Sequence, residues 1–186
     1  NGDLTHLIEN VELIVTSPLS RCLQTALIAL EPVITQAPRT IPIIAHETIR
    51  ETVNYNCDRR RAVSEIASEF ENVDFTLMEH DHDALWHDYE ERLGDHEAFT
   101  EHRESAELHE VAKRGRAFLE WIMKRPENNI FVCSHSAFLR CVLNYGYGVL
   151  FMPLQRGTSA EHHHRPLIKF CGDTSFEQFM RTDYAN

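Results

Sequence analysis

The sequence has little of what marks membrane, fibrous or nucleic-acid-binding proteins. No apolar run approaches the roughly 20 residues that a membrane span needs, and the opening Asn1-Gly2-Asp3 lacks the regions of a secretory signal. Only 7 Gly and 7 Pro occur in 186 residues, which excludes collagen-like and low-complexity chains. The 18 Lys and Arg against 29 Asp and Glu give a formal charge of -11, so no general attraction to nucleic acid or anionic membranes is expected. Any anionic substrate therefore needs a local cationic pocket.

Cysteine is also sparse, and its five positions are scattered along the chain. They are odd in number and never form a Cys-x-x-Cys pair, so neither a disulfide framework nor a zinc site is predicted. The five are Cys22, Cys57, Cys133, Cys141 and Cys171. This usage favours a reducing compartment, and we expect a soluble, cytoplasmic protein.

The length and patterning indicate one α/β domain over residues 1–186. Strand-like apolar runs end at Thr16 and at Ser134, and each is followed by a helical pattern, the first of which we expect to stop at Pro32. Further strands are predicted over Ile41–Ala45 and Leu167–Phe170, and further helices over Val63–Phe70 and Ser105–Arg125. Such alternation predicts a three-layer fold, with a mostly parallel sheet and helices on both faces. The tail from residue 149 is otherwise broken up by Gly and Pro, and we assign it no element or role.

Two candidate site residues lie where the predicted strands end, which is where parallel sheets bind ligands. Arg21 is in the first turn of a helix, where free N–H groups and the helix dipole favour an anion. On position alone, a surface salt bridge is an equal alternative. His135 directly follows the strand that ends at Ser134, although a single His in such a place is more often a structural residue.

A carboxyl group and a basic run follow the second predicted strand. Glu51 lies in a loop that can reach the same sheet edge, where a partly desolvated carboxyl is a standard general acid. Arg59 and Arg60 belong to the run Asp58–Arg61 and could hold a second anionic group of a substrate. The alternatives are a solvated loop carboxylate for Glu51 and a solvated helix start for the arginines.

Three ordered segments resemble motifs of one family. Thr16–Thr25 looks like an S-P-L-x-R-x-x-Q-T segment, Ile49–Glu51 is similar to L-R-E, and Cys133–Arg140 is similar to T-H-x-x-x-L-R. Together they resemble the histidine phosphatase superfamily, the phosphoglycerate-mutase-like proteins. The stretch Cys57–Phe75 also resembles small members from fungi, plants and protists. The resemblance spans Val11 to Tyr147.

The resemblance implies a two-step phosphoryl transfer on a small phosphate monoester through a phosphohistidine. In that scheme Arg21 binds phosphoryl oxygens, Glu51 protonates the leaving oxygen and later deprotonates water, and His135 donates to the equatorial oxygens. No metal and no organic cofactor is implied. The resemblance leaves open the substrate, the choice between mutase and phosphatase, and the oligomeric state.

One motif of the family is absent from this sequence. The nucleophilic His belongs to an R-H-G segment on the first strand of the family's sheet, and no Arg-His-Gly occurs here. His6 does not replace it, because its surroundings resemble the L-T-x-x-G stretch that follows R-H-G. Two explanations are open: a truncated chain of an active phosphatase, which we favour, or a non-catalytic protein that binds a phosphorylated ligand. For the chain as given we expect no turnover.

Clustered histidines provide a weaker, metal-binding hypothesis. They occur in Glu79–Asp83, at His87 and in His162–His164, but the spacing fits neither a calcium loop nor a zinc motif. Solvated loops are the favoured interpretation, and no metal is predicted. Asp83 is instead predicted to cap a helix through Ala84, Leu85 and Trp86.

Overall fold

The computed structural model describes residues 10–95, 104, 108–145 and 167–172, of which 143–145 and 167–172 are described by backbone alone. The first half of the chain forms β1 (Leu13–Thr16), α1 (Ser20–Ala29), α2 (Glu31–Gln36), β2 (Ile43–Ala45) and α3 (Val63–Glu69). The second half forms α4 (Ala84–Leu93), α5 (Leu108–Ile122), β3 (Asn129–Ser134), α6 (Ser136–Tyr145) and β4 (Leu167–Gly172). Within these described ranges no helix is long and apolar enough to cross a bilayer.

The sheet has four parallel strands in the order β2-β1-β3-β4. Thr16 pairs with Ala45 on one side and with Cys133 on the other, so β1, β2 and β3 end at one edge. Consequently the residues that follow these strands, Ser17, His46 and His135, lie along that edge. This topology confirms the predicted parallel sheet.

Alternate side chains of the strands enter two different cores. This follows from the period of two in a β-strand, which turns successive side chains to opposite faces. One core contains Ile14, Phe131 and Cys133 with Leu23 and Ala26 of α1 and Ile66 of α3. The other contains Leu13, Val15, Ile130 and Val132 with Val111 and Phe118 of α5 and Phe138 of α6. Helices therefore cover both faces, which confirms the predicted three layers.

Pro32 lies beyond the end of the first helix, as the sequence pattern predicts, and opens a second one. The first helix, α1, ends at Ala29, ahead of Pro32 as expected, but Pro32 lies in the first turn of a second helix, α2, that the pattern did not predict. A proline is tolerated in the first turn because its missing N–H would have no partner within the helix. The predicted strand over Leu167–Phe170 is confirmed as β4. The rest of the tail beyond residue 149 lies outside the described residues.

Candidate functional site

His135 stands at the carboxyl edge of the sheet, directly after β3. Its side chain is fully buried, and its Nε2 atom lies 2.7 Å from the hydroxyl oxygen of Ser17, the first residue after β1. The two meet because β1 and β3 are neighbouring parallel strands that end together. The same hydroxyl oxygen accepts a hydrogen bond from the backbone N–H of Leu19 at 3.4 Å. Sequence reasoning did not single out Ser17 as a partner of His135, since 118 residues separate them.

Glu51 reaches the first turn of α6, the helix that follows His135. Its carboxylate accepts hydrogen bonds from the backbone N–H groups of Ala137 at 3.3 Å and Phe138 at 3.0 Å, and from Thr52 at 2.9 Å. The N–H groups of a first helical turn have no partner inside the helix, so they favour a negative group there. The structure thus brings Glu51, 8% exposed, and His135 to the start of one helix.

An ion pair between Glu104 and Arg114 holds the loop that contains Glu51. Arg114 of α5 donates hydrogen bonds to the backbone oxygens of Thr48, Arg50 and Glu51 at 2.8–3.2 Å. Its Nε atom lies 3.0 Å from the carboxylate of the buried Glu104, which also accepts the N–H of Val53. Sequence reasoning missed both residues, because their partners lie about 50–65 positions away and no local pattern marks them.

Arg21 lies in the first turn of α1 and faces the loop at residues 56–58. Its guanidinium donates a hydrogen bond to the Cys57 carbonyl at 2.6 Å and forms an ion pair with Asp58 at 3.0 Å. The ion pair that the alternative interpretation required is therefore present. The side chain is nevertheless 36% exposed, so a ligand in solvent can reach it. Its role in phosphate binding stays a prediction.

Arg60 is turned into the protein and its hydrogen bonds are directed to the chain itself. Its guanidinium donates to the backbone oxygens of His80, Asp81 and His82 and of its neighbour Arg61 at 2.6–3.0 Å. The carboxylate of Glu47 lies 3.0 Å from its Nε atom. Arg60 thus holds the loop at residues 80–82 against the loop at residues 59–61, and its role in binding a substrate stays a prediction.

Arg59 is exposed and borders a cavity of about 590 Å³. Its guanidinium carbon lies 5.9 Å from the ring centre of the buried Trp86. The cavity is lined by Arg59 and Arg60, but Arg21, Glu51 and His135 do not line it. Arg59 and Arg60 thus share a cavity that the other predicted site residues do not line, and their role in binding a second anionic group stays a prediction.

Asp83 caps α4, which confirms the predicted helix start. Its carboxylate accepts the backbone N–H of Trp86 at 3.0 Å and that of Arg60 at 2.7 Å. It also forms a two-point ion pair with the fully buried guanidinium of Arg50, at 2.5 and 2.8 Å. Burial alone would raise the pKa of Asp83, but the hydrogen bonds and the charge of Arg50 outweigh it and lower that pKa.

His46 packs against α5 at the end of β2. Its ring centre lies 5.4 Å from that of Phe118 and 4.5 Å from that of Trp121, and its Nδ1 atom lies 2.8 Å from the Thr48 hydroxyl oxygen. Burial lowers the pKa of His46 from its ordinary 6.5 to about 4. The ring is therefore neutral in the native protein at neutral pH.

We expect His46 to make the fold sensitive to mild acid. Between pH 6.5 and 4 the unfolded chain binds a proton at this position that the native chain does not, so the free energy of unfolding falls as the pH falls. The contribution is at most about 1.4 kcal/mol per pH unit. Urea titrations across this range should show a weaker pH dependence in His46→Asn than in the wild type. The exposed His109 provides the control His109→Asn, and an equal pH dependence in His46→Asn would contradict the prediction.

The histidine-rich loop holds no arrangement of metal ligands. The ring centres of His80 and His82 are 5.6 Å apart and those of His82 and His87 are 6.2 Å apart. Among the residues that the structure describes, no group of three or more His, Cys, Asp or Glu could hold a metal ion. His6 and the run His162–His164 lie outside those residues.

Comparisons with known proteins agree with the motifs and the fold. A "Phosphoglycerate mutase-like protein" of Arabidopsis thaliana is 34% identical over 162 residues, which cover 74% of this chain and 54% of the relative. "Phosphoglycerate mutase-like protein 1" of the same plant is 32% identical over 161 residues, with 74% and 52% covered, so the chain spans about half the length of these relatives. No solved structure matches the chain. The sequence model of the histidine phosphatase superfamily (branch 1) matches residues 4–164, and the chain belongs to that superfamily.

Proposed function

We propose that this chain provides the phosphate-binding and acid–base part of a phosphomonoesterase that acts on a small phosphate monoester through a phosphohistidine. The observation that supports this most directly is the meeting of Glu51 and His135 at the start of α6. A carboxyl that can give a proton and an imidazole that can donate a hydrogen bond are groups that protonating and binding a phosphoryl oxygen require. Membership of the superfamily supports the same reaction class.

Each side chain has a defined task in the proposed reaction. Glu51 gives a proton to the leaving oxygen of the ester and takes one from the water that then attacks the phosphohistidine. His135 donates a hydrogen bond to an equatorial phosphoryl oxygen, and Ser17, at the end of the neighbouring strand β1, fixes the ring. Arg21 binds the phosphoryl oxygens. Its hydrogen bond to Cys57 and its ion pair with Asp58 hold the guanidinium beside the first turn of α1.

The nucleophile is the part of this mechanism that the sequence does not contain. In the family it is the His of an R-H-G segment, and no Arg-His-Gly occurs among the 186 residues. We therefore expect the chain by itself to bind phosphate without turnover. This absence also favours the second candidate, a non-catalytic protein that binds a phosphorylated ligand. The coding sequence immediately upstream of Asn1 separates the two, because only the phosphatase requires an Arg-His-Gly there.

Calorimetric titration of the 186-residue chain with inorganic phosphate tests the proposed site. We expect saturable binding in the wild type and at least tenfold weaker binding in Arg21→Ala, because a charge-assisted contact is lost. Arg39 offers a matched control, since its guanidinium forms an exposed ion pair with Glu12 at 3.0 Å, and Arg39→Ala should bind like the wild type. Absence of phosphate binding would contradict both candidate functions.

A second assay tests the need for the absent nucleophile. The chain should hydrolyse p-nitrophenyl phosphate no faster than His135→Ala. Turnover well above that variant would show that a group within these residues already serves as nucleophile. The proposal that the nucleophile belongs to an Arg-His-Gly segment outside these residues would then be wrong.

A further inference from the structure

Two cysteines that are far apart in the sequence touch beneath the candidate site. Cys22 is the third residue of α1 and Cys133 is in β3, 111 positions later. Their sulfur atoms lie 3.4 Å apart, and both side chains are buried. Cys22 directly follows Arg21, and Cys133 lies two residues before His135.

The surroundings of this pair are polar and favour the ionised thiol of Cys22. The Thr16 hydroxyl donates to the Cys22 sulfur at 3.7 Å. The hydrogen bond between the two thiols outweighs burial, and with a further contribution from His135 it lowers the pKa of Cys22 well below the ordinary value. The thiolate is the form that reacts with oxidants, so Cys22 is the more reactive member of the pair.

We propose that Cys22 and Cys133 are an oxidation site, at which a peroxide converts the two thiols into a reversible disulfide. The Cys22 thiolate attacks one peroxide oxygen, the O–O bond breaks, and a sulfenic acid forms. The hydroxide that leaves takes up the proton that the Cys22 thiol had lost and becomes water. The Cys133 sulfur then attacks the Cys22 sulfur and loses its proton, and the second oxygen leaves as water. The two thiols are oxidised together by two electrons, and hydrogen peroxide is reduced to two waters.

Forming the bond brings the two sulfur atoms from 3.4 Å to about 2.05 Å. The bond would tie the first turn of α1, which contains Arg21, to the end of β3, which leads to His135. Burial restricts the reaction to a small oxidant such as hydrogen peroxide. Because the reaction and its readouts concern only the thiols, the proposal does not depend on the proposed phosphatase activity.

The other cysteines provide matched controls. Cys57 is exposed, and Cys141 is buried with its sulfur 3.4 Å from the backbone oxygen of Leu108. The backbone of Cys171 pairs with that of Cys133 in the sheet, so a Cys133–Cys171 bond is the competing product. Cys57→Ser and Cys171→Ser should therefore leave the Cys22–Cys133 linkage intact.

The test is treatment of the folded 186-residue chain with hydrogen peroxide, followed by denaturation, alkylation of free thiols and mass spectrometry of a non-reducing digest. We expect a linked Cys22–Cys133 peptide that a phosphine reductant removes. We also expect a rise in Tm of the oxidised chain, because the bond closes a loop of more than one hundred residues. Cys22→Ala and Cys133→Ala should each abolish the linked peptide and the rise.

Two results would overturn the proposal. One is full alkylation of Cys22 and Cys133 under conditions that oxidise Cys57, and the other is a linkage that joins Cys133 to Cys171. Circular dichroism under reducing conditions shows whether each alanine variant is folded. If one is not, the identity of the linked peptide in the wild type and in Cys171→Ser still decides the question.

Discussion

Replacing Asp83 with alanine should lower the free energy of unfolding by about 3–5 kcal/mol, because it leaves the guanidinium of Arg50 buried without its main counter-charge. The same change removes the cap of α4 and the acceptor of the Arg60 N–H. Urea unfolding followed by circular dichroism measures this cost. Asp83→Asn keeps an acceptor for the cap and should lie between the wild type and Asp83→Ala.

Two further variants test whether the loss of stability comes from the buried charge of Arg50 or would follow any substitution in this region. Asp88 pairs with Arg92 on the exposed surface of α4, so Asp88→Ala should cost less than about 1 kcal/mol. Adding Arg50→Met to Asp83→Ala should recover part of the lost stability, because no unpaired charge then remains inside. A cost below about 1 kcal/mol for Asp83→Ala, or strict additivity in the double variant, would contradict this account.

The second large effect concerns catalysis in a longer protein that contains an Arg-His-Gly segment ahead of Asn1. There, Arg21→Ala should lower kcat/KM by several orders of magnitude, or about 3–5 kcal/mol of transition-state stabilisation. The physical reason is that negative charge develops on the phosphoryl oxygens as the ester bond breaks, and a guanidinium in the first turn of α1 stabilises that charge at close range. Steady-state hydrolysis of p-nitrophenyl phosphate measures the change.

The same assay, applied to a second variant, shows whether Arg21 binds the phosphate or only holds the loop at residues 56–58 in place. Asp58→Asn removes the charge of its ion-pair partner and keeps Arg21 itself. If Arg21 binds phosphate, Asp58→Asn should lower kcat/KM far less than Arg21→Ala. Equal losses would assign Arg21 a structural role, and an unchanged kcat/KM in Arg21→Ala would remove it from the site.

The layer architecture was predictable because it depends on patterns of short range. The apolar run that ends at Thr16 and the one that ends at Ser134 are too short and too β-branched for buried helices, and each leads into a helical pattern. That alternation leaves few topologies other than a parallel sheet between helices. The end of the first helix ahead of Pro32 was predictable, but the helix that Pro32 opens was not, because a proline that breaks a helix interior is equally suited to a first helical turn.

The candidate site was predictable only in part. The carboxyl ends of the strands could be located from the pattern, and this placed His135 and Glu51 near one edge. Their partners could not be found in this way: Ser17 contacts His135 across 118 positions, and Arg114 contacts the Glu51 loop across more than 60. The interior position of Arg60 was equally hidden, because a run of three arginines predicts a solvated surface.

The sequence by itself determined the strand and helix periodicity, the family motifs and the lack of an Arg-His-Gly segment, because all of these are properties of neighbouring residues. Only the tertiary structure decided which groups share an environment. It buried Arg50 against Asp83, joined Glu51 to the start of α6 and brought the sulfurs of Cys22 and Cys133 into contact. The physical reason is that the register of parallel strands and the packing of helices on the sheet fix these distances, and both arise from contacts between residues far apart in the chain.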